Sequence, residues 1–254
     1  MRELLISYSK KALRVIREEG IRSLLTVATL NAFQLMSFPF FFRRMRSITR
    51  DRGLEEVIDF AFKGGFSIIR PFQIRSEILG LLEELEKNNR PKSIIEIGTA
   101  RGGTLFLFTR VAKDNATFIS IDLMDRDYLG GYPEWKTDFY RSFAQKKQTI
   151  HLLRANSHDT ATFEDVKSIL GGNKVDFLFI DGDHTYNGVK RDFELYSPLV
   201  RSGGIVAFHD IGQPKEGTHG VNEFWKEIKD RFDHREIIED RKQGWAGIGL
   251  LYIK

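Results

Sequence analysis

Two histidines and three aspartates, in Asp181-Gly-Asp183-His184 and in His209-Asp210, are the residues of this 254-residue chain best suited to chemistry. Each group follows an apolar run, Val175-Asp-Phe-Leu-Phe-Ile180 in one case and Gly204-Ile-Val-Ala-Phe208 in the other, so both are expected at the carboxyl ends of strands. An imidazole with an ordinary pKa of about 6.5 can take a proton near neutrality, and clustered carboxylates and imidazoles can ligate a cation. Taken singly, His184 or His209 is better explained by a structural role than by a catalytic one. Their convergence with three acids at adjacent strand ends favours a site. His151, His158 and His219 have no such company and read as structural.

A second constellation lies upstream, in Ser93-Ile-Ile-Glu-Ile-Gly-Thr-Ala-Arg-Gly-Gly-Thr104. Ile94, Ile95 and Ile97 are β-branched strand formers, Gly98 permits a sharp reversal, and Gly102 and Gly103 would let backbone approach a ligand with no Cβ in the way. The pattern Glu-x-Gly-x-x-x-Gly-Gly differs from the Gly-x-Gly-x-x-Gly dinucleotide fingerprint, which disfavours a nicotinamide-dependent oxidoreductase. A second short strand, Thr117-Phe-Ile-Ser-Ile, ends in Asp122, twenty positions beyond Gly102, where a carboxylate can accept hydrogen bonds from a ribose diol. A third, Ile150-His-Leu-Leu-Arg, runs into Ala155-Asn156-Ser157, a polar end able to contact an adenine edge. Five strands thus deliver polar groups to one edge, and in open parallel sheets that edge binds ligands.

The chain lacks cysteine, which excludes disulfides and cysteine-ligated metal sites and fits a cytoplasmic location. Its net charge of +4 is uneven: residues 1–52 carry eleven Lys or Arg against four Asp or Glu, leaving the remainder at −3. That mildly acidic remainder argues against nucleic acid as a partner. Leu5, Tyr8, Ala12 and Val15 recur at helical spacing, with Lys10, Arg14 and Arg17 on another face. Residues 24–42 are mostly apolar, with a polar stripe of Thr26, Thr29, Gln34 and Ser37. Three readings stay open for this stretch: packing on its own domain or on a second subunit, peripheral contact with the inner membrane surface through residues 1–52, and a membrane span. A stripe favours a surface over a crossing.

Residues 1–66 form the expected helical extension and residues 67–254 the principal domain. Ile74, Ile78, Leu81, Leu82 and Leu85 mark an amphipathic helix before the first strand. Residues 123–135, rich in Asp, Gly and aromatic side chains, read as a loop placed to cover a substrate. Helices near 136–146, 162–170, 186–198 and 221–231 alternate with the strands and predict an α/β fold with a parallel sheet. Two tail segments, around Arg235-Glu-Ile-Ile-Glu239 and Gly247-Ile-Gly-Leu-Leu-Tyr-Ile253, supply a final strand pair.

Together with the glycine turn, Phe179-Ile-Asp-Gly-Asp-His-Thr-Tyr-Asn-Gly-Val-Lys-Arg-Asp192 and Leu199-Val-Arg-Ser-Gly-Gly-Ile-Val-Ala-Phe-His-Asp210 resemble the class I S-adenosylmethionine-dependent methyltransferases. More closely, they resemble the O-methyltransferase group that holds catechol O-methyltransferase relatives, macrolide sugar methyltransferases and cephalosporin-hydroxylase-like proteins. The similarity covers about residues 68–254. It implies a Rossmann-like, seven-stranded, mostly parallel sheet with helices on both faces and an antiparallel C-terminal pair. It implies a cofactor site of Glu96, Gly98, Thr99, Gly102, Gly103, Thr104, Asp122, Asn156, Ser157 and Asp181. It also implies a divalent cation on Asp181, His209 and Asp210, magnesium in the group and shifted toward manganese or iron by His209. His184 then serves as general base beside Asp181, with Asp183 orienting a histidine or capping a helix. The reaction implied is methyl transfer to a hydroxyl of a sugar, a glycan precursor or a secondary metabolite; a non-catalytic cofactor-binding scaffold is the alternative.

Overall fold

The computed structural model describes residues 41–63, 68–124, 131–214 and 220–254. The basic helix expected near residues 4–16, residues 24–40 of the apolar stretch, the Gly64-Gly65 turn, residues 125–130 and His219 lie outside the described residues. The chain divides into two units, Met1–Ser47 and Ile48–Lys254. In the first, residues 41–47 are helical, with Ser47 Oγ donating to the Arg44 carbonyl at 2.8 Å. Among the described residues, no helix is long and apolar enough to cross a membrane.

The second unit holds strands β1 (Ser93–Ile97), β2 (Thr117–Asp122), β3 (Thr149–Arg154), β4 (Val175–Ile180), β5 (Val200–His209), β6 (Asp233–Ile237) and β7 (Ile248–Tyr252). They form one sheet in the order β3-β2-β1-β4-β5-β7-β6. The first five run parallel, and β7 lies antiparallel between β5 and β6. This is the Rossmann-like arrangement that the strand and helix alternation implies. From β1 the chain builds outward through β2 and β3, then returns to the other side of β1 for β4 and β5. The crevice beyond the ends of β1 and β4 is therefore the topological switch point, where such sheets take their ligands.

Period-two alternation decides which helix each strand residue meets. Leu178 and Ile180 of β4 join a core with Val166 of α5 (Thr160–Leu170), Val189 of α6 (Tyr186–Tyr196) and Phe224 and Trp225 of α7 (Gly220–Ile228). Phe177 and Phe179 point the other way, their rings 5.2 and 5.3 Å from that of Phe108 in α3 (Gly103–Val111). Every residue of α3 is buried, so it runs through the core. Outside it lie α1 (Leu54–Lys63), which turns Val57, Ile58, Phe60 and Ala61 inward, and α2 (Arg75–Lys87), which buries Ile78, Leu81, Leu82 and Leu85.

Two boundaries differ from the sequence reading. The helix expected over 136–146 is α4 (Lys136–Arg141); beyond it Ser142 Oγ donates to the Phe139 carbonyl and Lys146 takes a left-handed φ of 50°. The principal unit starts at Ile48, earlier than the boundary at 66, because α1 packs on α2 and α3 and Ile48 is tied to Arg110. Arg110 is 1% exposed; its Nε donates to the Ile48 carbonyl at 2.7 Å, Nη1 donates to the Phe143 carbonyl at 2.7 Å, and the guanidinium lies over the Phe106 ring. Burial pulls its pKa down to about 9. Arg110→Ala strands the buried Phe143 carbonyl, leaves the Ile48 carbonyl to Gln145 Nε2 at 3.2 Å, and should destabilise the fold by roughly 2–3 kcal/mol. Denaturant unfolding measures this; a midpoint unchanged from the parent refutes the role.

Candidate active site

A cavity of about 900 Å³ opens over the carboxyl ends of the parallel strands. Gly98 closes one side of its floor with φ +97°; a Cβ there would lie on the Asp181 carbonyl, so only glycine lets the ends of β1 and β4 meet this closely. Asp122, ending β2, lines the cavity and accepts from the Ala100 N–H at 2.6 Å and the Leu123 N–H at 2.7 Å. Burial raises its pKa, against those backbone bonds. Each carboxylate oxygen retains acceptor capacity for a ligand hydroxyl. Ala100 holds a left-handed φ of 45°, and its carbonyl accepts from the Tyr140 hydroxyl at 2.8 Å. Asn156 and Ser157 line the cavity beyond Asp122. His158, read as structural, lines it too, with Nε2 3.3 Å from the fully buried Asp192.

Glu96 takes a different position from the one expected. It is 1% exposed beneath the glycine turn and accepts from Ser120 Oγ at 2.5 Å and Thr104 Oγ1 at 2.6 Å, while Thr99 Oγ1 lies 2.6 Å from Ser120 Oγ. Burial pushes its carboxyl up to about 8 against those two hydrogen bonds. Glu96, Thr99 and Thr104 therefore brace the turn from within and do not line the cavity. Gly102 and Gly103 do not line it either. A Cβ on Gly102 would meet the Tyr140 ring, and one on Gly103 the Ile69 carbonyl and Pro71, so both glycines let the protein pack on itself.

At the other end of the cavity Asp181, Asp183, His184, His209 and Asp210 come together. His184 Nδ1 lies 2.8 Å from Asp210 Oδ2, and its Nε2 lies 3.5 Å from Asp181 Oδ1. The hydrogen bond with Asp210 raises the His184 pKa, against burial. His209 is 4% exposed, with Nδ1 3.0 Å from Asp181 Oδ1 and 3.6 Å from Asp210 Oδ2. Burial opposes a charge on its ring, yet the two carboxylates push its pKa up to about 9. Asp181, His184 and Asp210 each present one ligand atom, all within 4.8 Å of one another, and His209 Nδ1 stands within 3.6 Å of both carboxylates, so the fold brings both histidines to the two acids. Asp183 caps no helix; it accepts from the Thr185 N–H at 2.9 Å, and Thr185 itself accepts from the Gly188 N–H to open α6.

Several supporting residues carried no sequence signal. Gln73 Nε2 donates to Asp181 Oδ2 at 2.7 Å. The Ala246 N–H donates to Asp210 Oδ1 at 3.0 Å from the loop between β6 and β7. Glu77, fully buried on α2, fastens that loop by accepting from the Glu239 N–H at 3.1 Å, Gln243 Nε2 at 2.8 Å and the Gly247 N–H at 2.9 Å. A charge inside an otherwise apolar helix face was the one available hint at Glu77.

Residues 95–211 match a family described as a methyltransferase domain. The uncharacterized protein y4gI of Sinorhizobium fredii is 32% identical over 143 residues, 55% of this chain and 15% of that protein. Protein R132 of Acanthamoeba polyphaga mimivirus is 32% identical over 142 residues, 56% of this chain and 61% of that protein. The chain thus spans less than two thirds of either relative. A rhamnosyl O-methyltransferase of Mycobacterium bovis is 22% identical over 174 residues, 65% of this chain and 67% of that enzyme. Among solved structures, an O-methyltransferase from Bacillus cereus in complex with SAH superposes with a TM-score of 0.53 at 18% identity, covering 82% of this chain and 93% of that one. That likeness is one of fold.

Asp122 and Glu96 should behave differently in solution. Asp122→Ala should weaken S-adenosylhomocysteine binding about tenfold or more by calorimetry, whereas Glu96→Gln should leave it within about twofold. Between pH 4.5 and about 8 the native state keeps a Glu96 proton that the unfolded chain releases, so stability falls as pH rises across that window. Glu96→Gln cannot lose that proton, so its Tm should gain on the parent's from pH 5 to pH 8; parallel Tm profiles would contradict the buried neutral acid.

Proposed function

We propose that this chain, whose residues 95–211 match the methyltransferase-domain family, moves a methyl group from S-adenosylmethionine to a hydroxyl of a sugar or glycan precursor. The observation that carries this reading is the His184–Asp210 pair facing the same cavity as Asp122. Asp122 accepts the ribose hydroxyls of the donor, and Asn156 and Ser157 face its base. With Nδ1 held by Asp210, His184 Nε2, which stands 3.5 Å from Asp181 Oδ1 on the cavity side, keeps the lone pair that takes the acceptor's proton. The acceptor O–H gives its proton to Nε2 as the oxygen attacks the methyl carbon. The carbon–sulfur bond breaks with its electron pair going to sulfur, leaving a methyl ether and the neutral thioether S-adenosylhomocysteine. The proton then passes from His184 to solvent. The relative named as a rhamnosyl O-methyltransferase supports a sugar hydroxyl as the acceptor.

A second reading rests on the mutual reach of Asp181, His184 and Asp210. These three would hold a divalent cation, which supplies a positive charge that lowers the pKa of a nearby hydroxyl. An imidazole among the ligands suits manganese or iron better than magnesium. The two readings compete for His184, because a ring nitrogen committed to a cation is lost as a base.

Transfer of labelled methyl to a panel of glycosides tests the assignment. His184→Ala should lower kcat by about 10²- to 10⁴-fold with S-adenosylhomocysteine affinity kept within about twofold. Activity unchanged by EDTA supports the base, and activity lost to EDTA and restored by manganese supports the cation. Full activity in His184→Ala would refute both.

A further inference from the structure

Among the described residues, four large apolar side chains stand about half in water: Phe72, Met124, Trp135 and Trp245. Phe72 and Trp245, each 55% exposed, line the cavity, although they come from loops far apart in sequence. Each sits one position before a group that holds a carboxylate of the cluster. Phe72 precedes Gln73, whose Nε2 donates to Asp181; Trp245 precedes Ala246, whose N–H donates to Asp210. The acids are thus held by the backbone next to Trp245 and by the side chain next to Phe72.

We propose that Phe72 and Trp245 are the walls of the acceptor subsite, and that they receive a pyranose ring lying with its C–H face on an aromatic ring and one hydroxyl toward His184. This inference deepens the proposed O-methyl transfer and rests on it. Both walls are built to hold still. The Trp245 carbonyl accepts from Gln243 Nε2 at 2.6 Å, and the Gly247 N–H two residues on is bound by the buried Glu77 carboxylate. Phe72 lies under the Arg101 guanidinium, 5.0 Å from its ring centroid. Rings fixed before the ligand arrives avoid the ordering cost of a mobile platform.

The polar surroundings select the occupant. Asp183 and His184 line the cavity and stand exposed, and Arg101 stands exposed over Phe72, a supply of donors and acceptors suited to a ring that is apolar on its face and hydroxylated at its edge. A wholly apolar acceptor would desolvate these groups with nothing to replace water.

The test uses the full chain with methyl α-L-rhamnopyranoside and catechol as acceptors, on Phe72→Ala, Trp245→Ala and Trp245→Phe. Each alanine variant should raise KM for the rhamnoside tenfold or more, change kcat less than threefold, and leave S-adenosylhomocysteine affinity within twofold. Trp245→Phe should recover most of the loss. Rhamnoside KM unchanged in both alanine variants overturns the walls. Methylation of catechol but of no glycoside overturns the sugar as occupant. Saturation-transfer NMR of the rhamnoside on the S-adenosylhomocysteine complex tests the walls without turnover, so failure of the methyltransferase reading stays distinguishable from failure of this one. Transfer seen in the parent and lost in Trp245→Ala supports the subsite, and transfer equal in both, or absent from the parent, overturns it.

Discussion

The site exists because the ends of β1 and β4 touch. At Gly98 the backbone lies against the Asp181 carbonyl with no room for a side chain, and the Asp181 N–H continues the pairing by donating to the Ile97 carbonyl at 2.8 Å. That contact sits at the reversal of strand order, so it puts the turn that follows β1 and the acid that follows β4 on one crevice. A larger residue at 98 would separate the strand ends, and with them Asp122 from His184. Kilocalories spread through the core make the sheet; this one missing Cβ makes the sheet useful.

Gathering acids at one edge has an electrostatic cost, and the structure meets it in two ways. Glu96, Asp122, Asp181 and Asp210 all lie near the strand ends, where fields add and water is scarce. Glu96 escapes by staying neutral, its carboxyl pushed to about 8 among hydroxyls that bond to it in either state. Asp181 and Asp210 escape by sharing His209, whose ring they hold charged up to about 9. That leaves His184, on the cavity side, as the group whose state a ligand can change.

The strand ends could be read from the sequence because apolar runs broken by Gly, Asp or His leave little choice of boundary. Asp122, Asn156, Ser157, Asp181, His184 and Asp210 were found that way, and all line the cavity. Direction of a side chain could not be read so. Glu96 and Thr104 face each other below the turn because α3 enters the core immediately, a consequence of packing against Ile69 and Pro71 that no local pattern states. His209 and His184 differ in exposure for a related reason. Both follow strands, but His209 still belongs to β5 and stays under the sheet edge, while His184 lies four residues past β4. Gln73, Ala246 and Glu77 reach the site across long sequence separations, and only the fold brings them there.

The backbone bears the same signature of preorganisation. Of the non-glycine residues with left-handed φ, Ala100, Asp210 and Ala246 stand at or beside the cavity, at 45°, 63° and 58°. Each such conformation costs about 1–3 kcal/mol and persists only where surrounding bonds over-determine it. Here the bonds are the functional ones. Ala100 is held between Asp122 and the Tyr140 hydroxyl, and Asp210 and Ala246 hold each other. Relaxing any of the three would release the carboxylate that a ligand or a proton must meet. The strain is therefore tied to the positions of the acids themselves, which is why the same bonds that secure Asp122 and Asp210 also set the shape of the cavity around them.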